Sequence, residues 1–215
     1  MITHDYLPGT KINIIQDDEM FRINTDTEVL GQFLEVYRHD LVYDFGCNNG
    51  ALMLYASLFN PKKIVGIDIN AKALELAKQN LDNNGITNYE LIHADIKELK
   101  IEQADVIICN PPYFETEKTN LPENDSKKLA KHEYMLDLDS LICSIARNLK
   151  DNGTLYFLFL TSRIEEVFLI LNKYNLHAKV LQFVHDKRKD FSQIFMIKAK
   201  KNVKSGLKVL SPRVI

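Results

Sequence analysis

The residues with the clearest capacity for chemistry are the consecutive Asn110, Pro111, Pro112 and Tyr113, which follow the apolar run Ala104–Cys109. This run is rich in β-branched residues and has strand length, which predicts a strand buried on both faces. The two prolines fix φ, remove two N–H donors and hold Asn110 out of the helical region. The sequence therefore predicts a rigid corner at the carboxyl end of a central strand, where open α/β sheets bind ligands.

The chemistry that this corner offers is recognition of a planar group that carries an NH2. The Asn110 side-chain oxygen and the Pro111 carbonyl can each accept one amine hydrogen. Tyr113 or Phe114 can stack on the ring that carries the amine. A rigid turn without function is the alternative interpretation, but the position at the end of a buried strand favours a binding site.

A second candidate site lies in the segment Asp44–Gly50, between a predicted strand and a predicted helix. Its glycines, Gly46 and Gly50, allow a ligand to approach the backbone near Cys47, and the helix start supplies N–H donors. The segment lacks the Gly-x-Gly-x-x-Gly pattern of a dinucleotide-binding loop. Asp44 would repel a pyrophosphate, so we expect it to pair with a cationic ligand, directly or through water.

Two more acids lie at the ends of the next predicted strands. Asp68 can accept both hydroxyls of a ribose, and Ile69 beside it can pack on a purine. Asp95 can accept a hydrogen of an adenine amine. Three acids at the ends of three successive strands, ahead of Asn110, predict a site for a nucleoside-containing cofactor.

Strands and helices in strict alternation must position these residues. The pattern predicts an α/β fold with a mostly parallel seven-stranded sheet, helices on both faces and an antiparallel final strand. A helix predicted over 25–37 can be capped by Thr25 or Asp26, and its N-terminus suits an anion. We predict one domain over 1–215, with an N-terminal segment and helix (1–38), a core for cofactor and catalysis (39–160) and basic C-terminal strands (161–215). The predicted strands are 41–45, 63–67, 88–93, 104–109, 153–160, 176–184 and 191–199.

The composition limits the class of protein and its compartment. Hydrophobic residues make up 46% of the chain and charged residues 26%, as in soluble globular proteins. Three widely spaced cysteines without a Cys-x-x-Cys pattern predict neither a disulfide framework nor a zinc site. We expect no signal peptide, and no apolar run has membrane-spanning length; together with the cysteine pattern, this predicts a cytoplasmic protein.

Charge is unevenly distributed along the chain. Residues 1–178 carry 17 Lys and Arg against 27 Asp and Glu, whereas residues 179–215 carry 10 against 2. A basic tail on an acidic body indicates a polyanionic partner, and a merely solvated lysine-rich surface is the alternative. The residues that we expect to contact phosphates are Lys127, Lys128, Lys131, Lys187, Arg188 and Lys189.

The order of these motifs resembles that of class I S-adenosylmethionine-dependent methyltransferases. Asp44, Gly46, Asp68 and Asp95 match their cofactor motifs, and the Asn-Pro-Pro-Tyr segment resembles the subset that methylates a planar nitrogen. Flanking segments, among them 14–16, 25–31 and 131–139, run in the order of bacterial tRNA1(Val) (adenine(37)-N6)-methyltransferases. The sequence departs from the usual glycine-rich motif at Asn48, where we expect a positive φ.

The resemblance implies an enzyme that uses S-adenosyl-L-methionine and no metal, and whose partner is tRNA. Asp44 and Asp68 would orient the cofactor, Thr25 would meet its carboxylate, and Asn110 would accept from the target amine. Adenine in rRNA or DNA and a protein glutamine amide are alternative substrates for the same corner. A non-catalytic RNA-binding module is the alternative outside enzymes.

Overall fold

The computed structural model describes residues 1–18, 20–112 and 138–215. Tyr113, Lys127, Lys128 and Lys131 lie outside the described residues. The helices are α1 (Thr25–Phe33), α2 (Ala51–Ser57), α3 (Ala71–Asn83), α4 (Leu138–Asn148) and α5 (Ile164–Lys173). The longer strands are β1 (Ile2–Tyr6), β2 (Asn13–Asp17), β3 (Leu41–Phe45), β4 (Lys63–Asp68), β5 (Tyr89–His93), β6 (Ala104–Cys109), β7 (Leu149–Leu160), β8 (Leu176–His185) and β9 (Ile194–Lys201). Two two-residue strands follow, β10 (Lys208–Val209) and β11 (Arg213–Val214).

The main sheet has the strand order β5-β4-β3-β6-β7-β9-β8, with β10 and β11 both paired to β8. Strands β3 to β7 run parallel, and β9 is antiparallel to both of its neighbours. The predicted mostly parallel α/β sheet with an antiparallel final long strand is therefore confirmed. The two short strands extend the predicted seven-stranded arrangement along its β8 edge.

Helices cover both faces of the sheet, because alternate residues of the buried strands point to opposite sides. One core lies under α4 and α5 and includes Ile107, Phe157 and Ile145. The opposite core lies under α1, α2 and α3 and includes Met53 and Tyr156. Within the described residues, no helix is long and apolar enough to cross a membrane.

The first helix begins at Thr25, as predicted, but its N-cap residue and its C-terminal end differ from the prediction. Its N-cap is Asn24, not Thr25 or Asp26: the Asn24 side chain accepts the Thr27 N–H at 3.1 Å. Asn caps well because its short side chain reaches the unpaired N–H groups of the first turn. The helix ends at Phe33, and not at position 37, since the Tyr156 hydroxyl holds the backbone N–H and carbonyl of Glu35 in place of a further helical turn.

The strand β7 begins at Leu149, before the predicted start at Gly153. Its register against β6 shifts between the pairs that involve Ala104 and Val106, which marks an irregularity near the start. Asn152 takes a positive φ of 62° within this segment. Between these two pairs β6 advances from Ala104 to Val106 while β7 advances from Leu149 to Thr154, so β7 holds three extra residues. Propensity along the sequence does not reveal such an irregularity.

Candidate active site

Three parallel strand ends bring the predicted motifs together. Phe45 of β3 is level with Ile67 of β4 and with Cys109 of β6. The next residues, Gly46, Asp68 and Asn110, therefore lie in one row at the carboxyl edge of the sheet. This is the edge where open α/β sheets bind ligands.

The loop after β3 is folded tightly onto β4. The N–H groups of Gly46 and Cys47 both donate to the Ile67 carbonyl, at 2.8 and 3.1 Å. Asn48 adopts the expected positive φ, 45°, in the position that the family usually gives to glycine. Asn tolerates this region better than most residues do, so the loop keeps its turn without the glycine.

Gly46 and Gly50 serve the loop in different ways. A Cβ on Gly46, where φ is +76°, would meet nothing within 4 Å, which leaves open space beside the backbone. A Cβ on Gly50, where φ is +80°, would lie 3.2 Å from the Cβ of Ala77 on α3. Gly50 thus permits close packing of helix on loop, while Gly46 leaves the backbone accessible to a ligand.

Asp68 is a buried carboxylate fixed by backbone donors from both sides. Its Oδ2 accepts the Asn48 N–H at 2.8 Å, and its Oδ1 accepts the Asn70 N–H at 2.9 Å. A carboxylate has about four acceptor positions, and these two backbone donors use one on each oxygen. The side chain is therefore held in one orientation at the ligand-binding edge.

Asp44 is fully buried, and within the described residues neither of its carboxylate oxygens has a hydrogen-bond partner. Burial, and then the neighbouring Asp68, raise the pKa of Asp44 to about 8. An isolated buried carboxylate costs free energy unless a donor or a cation satisfies it. The cationic part of S-adenosylmethionine fits this requirement, so the residues present suit that cofactor.

The two residues predicted beside a purine lie on the neighbouring strand ends. Ile69 is 36% exposed directly after Asp68, and its carbonyl is 2.7 Å from Nε2 of His93. Asp95 accepts the Lys97 N–H at 2.8 Å, which stabilises the turn that follows β5. His93 thus has a structural contact, and Ile69 offers an apolar surface.

The corner after β6 is present as far as it is described. Asn110 is partly buried, Pro111 is buried and Pro112 is partly buried, directly after the buried end of β6 at Cys109. Tyr113 is the first residue of the segment 113–137, which lies outside the described residues. The row formed with Gly46 and Asp68 places the Asn-Pro-Pro segment next to the cofactor loop.

Thr25 is less closely tied to this site. It is exposed at the first position of α1, and no hydrogen bond in the described part of the chain joins it to the loop after β3. Its segment does reach that loop, because the Asn48 side chain donates to the carbonyl of Phe21. The predicted contact of Thr25 with the cofactor carboxylate stays a prediction.

Sequence reasoning missed two asparagines of α3 and its C-cap: Asn80 joins the loop after β3 to β2, and Asn84 holds β2 alone. The Asn80 side chain, buried on α3, donates to the carbonyls of Asn49 at 2.9 Å and Ile15 at 3.0 Å, and it accepts the Ile15 N–H at 2.7 Å. Asn84 makes a similar pair of bonds to Asn13 of the same strand, β2. The signal was available: Asn80 stands in the apolar stripe of α3, where a polar residue needs partners.

The basic residues of the C-terminal part of the chain lie at two opposite edges of the sheet. One edge is formed by the carboxyl ends of the parallel strands and the other by their amino ends. The exposed Lys187, Arg188 and Lys189 follow β8 at the carboxyl edge, on the side of the candidate site. Lys200, Lys201 and Lys204 lie at or beyond the end of antiparallel β9, and therefore near the opposite edge. The charge asymmetry of the sequence thus overstates the positive charge near the site.

Arg188 differs from the two lysines beside it. Its guanidinium donates twice to the Asp186 carboxylate, at 2.9 and 2.8 Å, and lowers the pKa of Asp186 to about 2. Among the described residues, Lys187 and Lys189 form no ion pair. Within residues 1–18, 20–112 and 138–215, no group of three or more His, Cys, Asp and Glu side chains is arranged to hold a metal ion.

Comparison with known proteins relates this geometry to a family. Residues 38–205 match the family described as "Methyltransferase domain". The tRNA1(Val) (adenine(37)-N6)-methyltransferase of Dyadobacter fermentans is 31% identical over 152 residues, which is 69% of this chain and 62% of that protein. The enzyme of the same name from Phocaeicola vulgatus is 27% identical over 188 residues, 85% of this chain and 78% of that protein.

Solved structures agree on the fold. A predicted O-methyltransferase from Agrobacterium tumefaciens superposes with a TM-score of 0.68 at 15% identity, over 88% of this chain and 87% of that one. The resemblance noted from the sequence motifs is confirmed by these matches, and so is the assignment to an enzyme class. The chain belongs to the methyltransferase domain family, and its cofactor is S-adenosyl-L-methionine.

Proposed function

We propose that this protein methylates N6 of an adenosine in tRNA, and that the adenosine is position 37 of tRNA1(Val). The observation that carries the proposal is the row of Gly46, Asp68 and Asn110, which puts an amine-accepting corner beside the cofactor loop. The names of the relatives from Dyadobacter fermentans and Phocaeicola vulgatus support the choice of tRNA and of position.

The acids of the site hold the cofactor in this proposal. Asp68 binds the ribose hydroxyls, since its orientation is already fixed by Asn48 and Asn70. Asp44 faces the cationic part, while Ile69 and Asp95 contact the adenine. The remaining cofactor contacts of the proposal are Thr25, Gly46, Cys47, Gly50 and the Asn110 backbone.

The cofactor would supply a methyl group already activated on a sulfonium, whose sulfur would leave as a neutral thioether, so the protein needs no covalent nucleophile. The amine would release one proton after the transfer, so no strong general base is needed either. The difficulty lies with the adenine amine, whose lone pair is delocalised into the ring. Asn110 Oδ1 and the Pro111 carbonyl accept the two amine hydrogens, which favours a pyramidal nitrogen and holds it in position. Pro112 stiffens the corner and Tyr113 stacks on the base.

The target adenine must be unstacked to enter this corner, which costs least in a single-stranded loop. Lysine and arginine side chains outside the pocket position the RNA through its phosphates and do not read its bases. The residues proposed for this role are Lys127, Lys128, Lys131, Lys187, Arg188 and Lys189.

The test is mass spectrometry of nucleosides from tRNA1(Val) incubated with the protein and isotope-labelled cofactor. Labelled N6-methyladenosine is expected, and it should disappear in a transcript with guanosine at position 37. Label on another base, or at another position of the tRNA, would show that adenosine 37 is not the target. Label on a protein glutamine amide, with none on RNA, would overturn the proposal in favour of a protein substrate. RNA binding without cofactor binding would indicate the non-catalytic module.

A further inference from the structure

An exposed aromatic ring stands beside the basic residues that follow β8. Phe191 lies in the turn between β8 and β9 and is 66% exposed. A single exposed apolar side chain is ordinary on protein surfaces and by itself indicates nothing. Here the ring follows Lys187 and Lys189 within a few residues, and both lysines are exposed as well.

The direction of the strands places this turn on the side of the catalytic corner. Strand β9 is antiparallel to β7 and to β8, so the end of β8 lies at the same edge as the end of β6. Neighbouring strands are roughly 4.8 Å apart, which puts the start of β9 and the end of β8 about 10 and 15 Å from the end of β6. Stacked nucleotides advance roughly 3.4 Å each, so this span equals about three to four nucleotides.

The turn is held by contacts that do not involve Phe191. The backbone N–H of Arg188 donates to the Asp186 side chain at 2.9 Å, and the Lys189 N–H donates to the Asp186 carbonyl. The Lys187 N–H donates to the carbonyl of Ile215, which joins the turn to the C-terminal residues. A ring presented from an ordered turn loses less conformational freedom on binding.

We propose that Phe191 stacks on an unpaired base of the RNA, about three to four nucleotides from the target adenosine, while Lys187 and Lys189 meet the neighbouring phosphates. The inference rests on the proposed function and adds the class of substrate: RNA that is single-stranded on this side of the target. A positively charged surface with an aromatic face is complementary to a single strand, which offers both phosphates and free base faces. The bases of a duplex are already stacked, so a duplex offers only the phosphates.

The test is RNA binding by fluorescence anisotropy at several salt concentrations, with an unmodified stem-loop and a duplex of equal length. Phe191→Ala should weaken binding to the stem-loop about tenfold or more, as expected for loss of one stacked base. The slope of log affinity against log salt concentration should be the same for Phe191→Ala as for the wild type, because no phosphate contact is lost. Binding to the duplex should not change, and Phe191→Tyr should restore binding to the stem-loop.

A matched control is available at the opposite edge of the sheet. Tyr37 is 64% exposed and precedes the amino end of β3, so Tyr37→Ala removes an equally exposed ring far from the proposed RNA path. It should bind both RNAs as the wild type does. Stem-loop binding by Phe191→Ala equal to that of the wild type, or an equal loss for duplex and stem-loop, would overturn the stacking role. If the stacking role is overturned but the wild type methylates RNA, the proposed function stands without the stacking role. If the wild type neither binds nor methylates RNA, the proposed function and the stacking role both fail.

Discussion

The backbone N–H of Asn48 donates a hydrogen bond of 2.8 Å to Oδ2 of Asp68. This bond joins the loop after β3 to the acid at the end of β4, and it is made by a residue with a positive φ of 45°. The residue that departs from the glycine-rich motif noted in the sequence is thus the residue that orients Asp68, the acid proposed to bind the ribose. Replacing glycine by asparagine here is compatible with a formed cofactor site.

We predict that Asp68→Asn weakens the binding of S-adenosylmethionine by about 2–4 kcal/mol, because the ribose hydroxyls lose a charged acceptor. The asparagine retains one oxygen that can accept a backbone N–H, which preserves part of the loop. Isothermal titration calorimetry measures the affinity, and Asp82→Asn, an exposed acid on α3, serves as the control. Wild-type affinity in Asp68→Asn would show that the ribose binds elsewhere.

We predict that Asp44 makes the stability of the cofactor-free protein fall as the pH rises from about 4 to about 8. Its pKa is raised from 3.8 to about 8 in the folded state, so in this interval the folded protein holds a proton that the unfolded chain has lost. The stability that protonated Asp44 contributes is fully present below the pKa of this residue in the unfolded chain. It is lost as the pH rises through the pKa of Asp44 in the folded protein.

The measurement is the free energy of unfolding in urea at several pH values, for the wild type and for Asp44→Asn. The side chain of Asp44→Asn is neutral and nearly isosteric, so the free energy of unfolding of this variant should fall less steeply with pH than that of the wild type. The two slopes should differ by about 1.4 kcal/mol per pH unit between pH 5 and 7. Parallel pH profiles for the two proteins would contradict a protonated Asp44.

The sequence predicted the sheet well because its strands are short apolar runs bounded by turn residues. Asp44, Asp68 and Asn110 could be placed at one edge since parallel strands in alternation with helices align their carboxyl ends. The position of the N-terminal hairpin, formed by the antiparallel β1 and β2, could not be predicted in this way. Its position depends on Asn80 and Asn84, whose bonds to β2 span 65 and 71 residues of sequence.

Other differences also arise from distant contacts. The early end of α1 depends on the Tyr156 hydroxyl, 121 residues away from Glu35. The even spread of the C-terminal charges depends on the antiparallel direction of β9, which carries Lys200 and Lys201 away from the site. Local propensity contains neither fact, because each results from packing between elements far apart in the chain.

We predict that Asn80→Ala destabilises the protein by about 2–4 kcal/mol and raises the KM for the cofactor. The change leaves Ile15 and the Asn49 carbonyl without their buried partners, and each unsatisfied group costs about 1–3 kcal/mol. Urea unfolding and steady-state kinetics measure the two effects. Asn83→Ala, an exposed position on the same helix, should change neither. A stability loss without any change in KM would mean that Asn80 supports the strand β2 and not the cofactor loop.

We predict that Asn110→Ala reduces methyl transfer by about a hundredfold or more while cofactor affinity stays nearly unchanged. In the proposed mechanism the Asn110 side chain is a preorganised acceptor for the target amine, and loss of one such contact typically costs this much in rate. The backbone carbonyl of Asn110, which the variant keeps, is the group proposed to contact the cofactor. Single-turnover rates with saturating cofactor, together with calorimetry, separate the two roles. Turnover within a few-fold of the wild type would reduce Asn110 to a turn residue.

The last prediction concerns the electrostatic part of RNA binding. Lys187 and Lys189 are exposed at the carboxyl edge, whereas the charge of Arg188 is largely compensated by Asp186. Two lost phosphate contacts should flatten the plot of log affinity against log salt by about 1.4 for single-stranded RNA. We therefore expect this change in Lys187→Gln/Lys189→Gln, with unchanged cofactor affinity. The control is Lys200→Gln/Lys204→Gln, which removes equal charge near the opposite edge and should leave the slope almost as it was. Equal slopes for the two double variants would mean that the turn after β8 is only a solvated surface and that the RNA lies elsewhere.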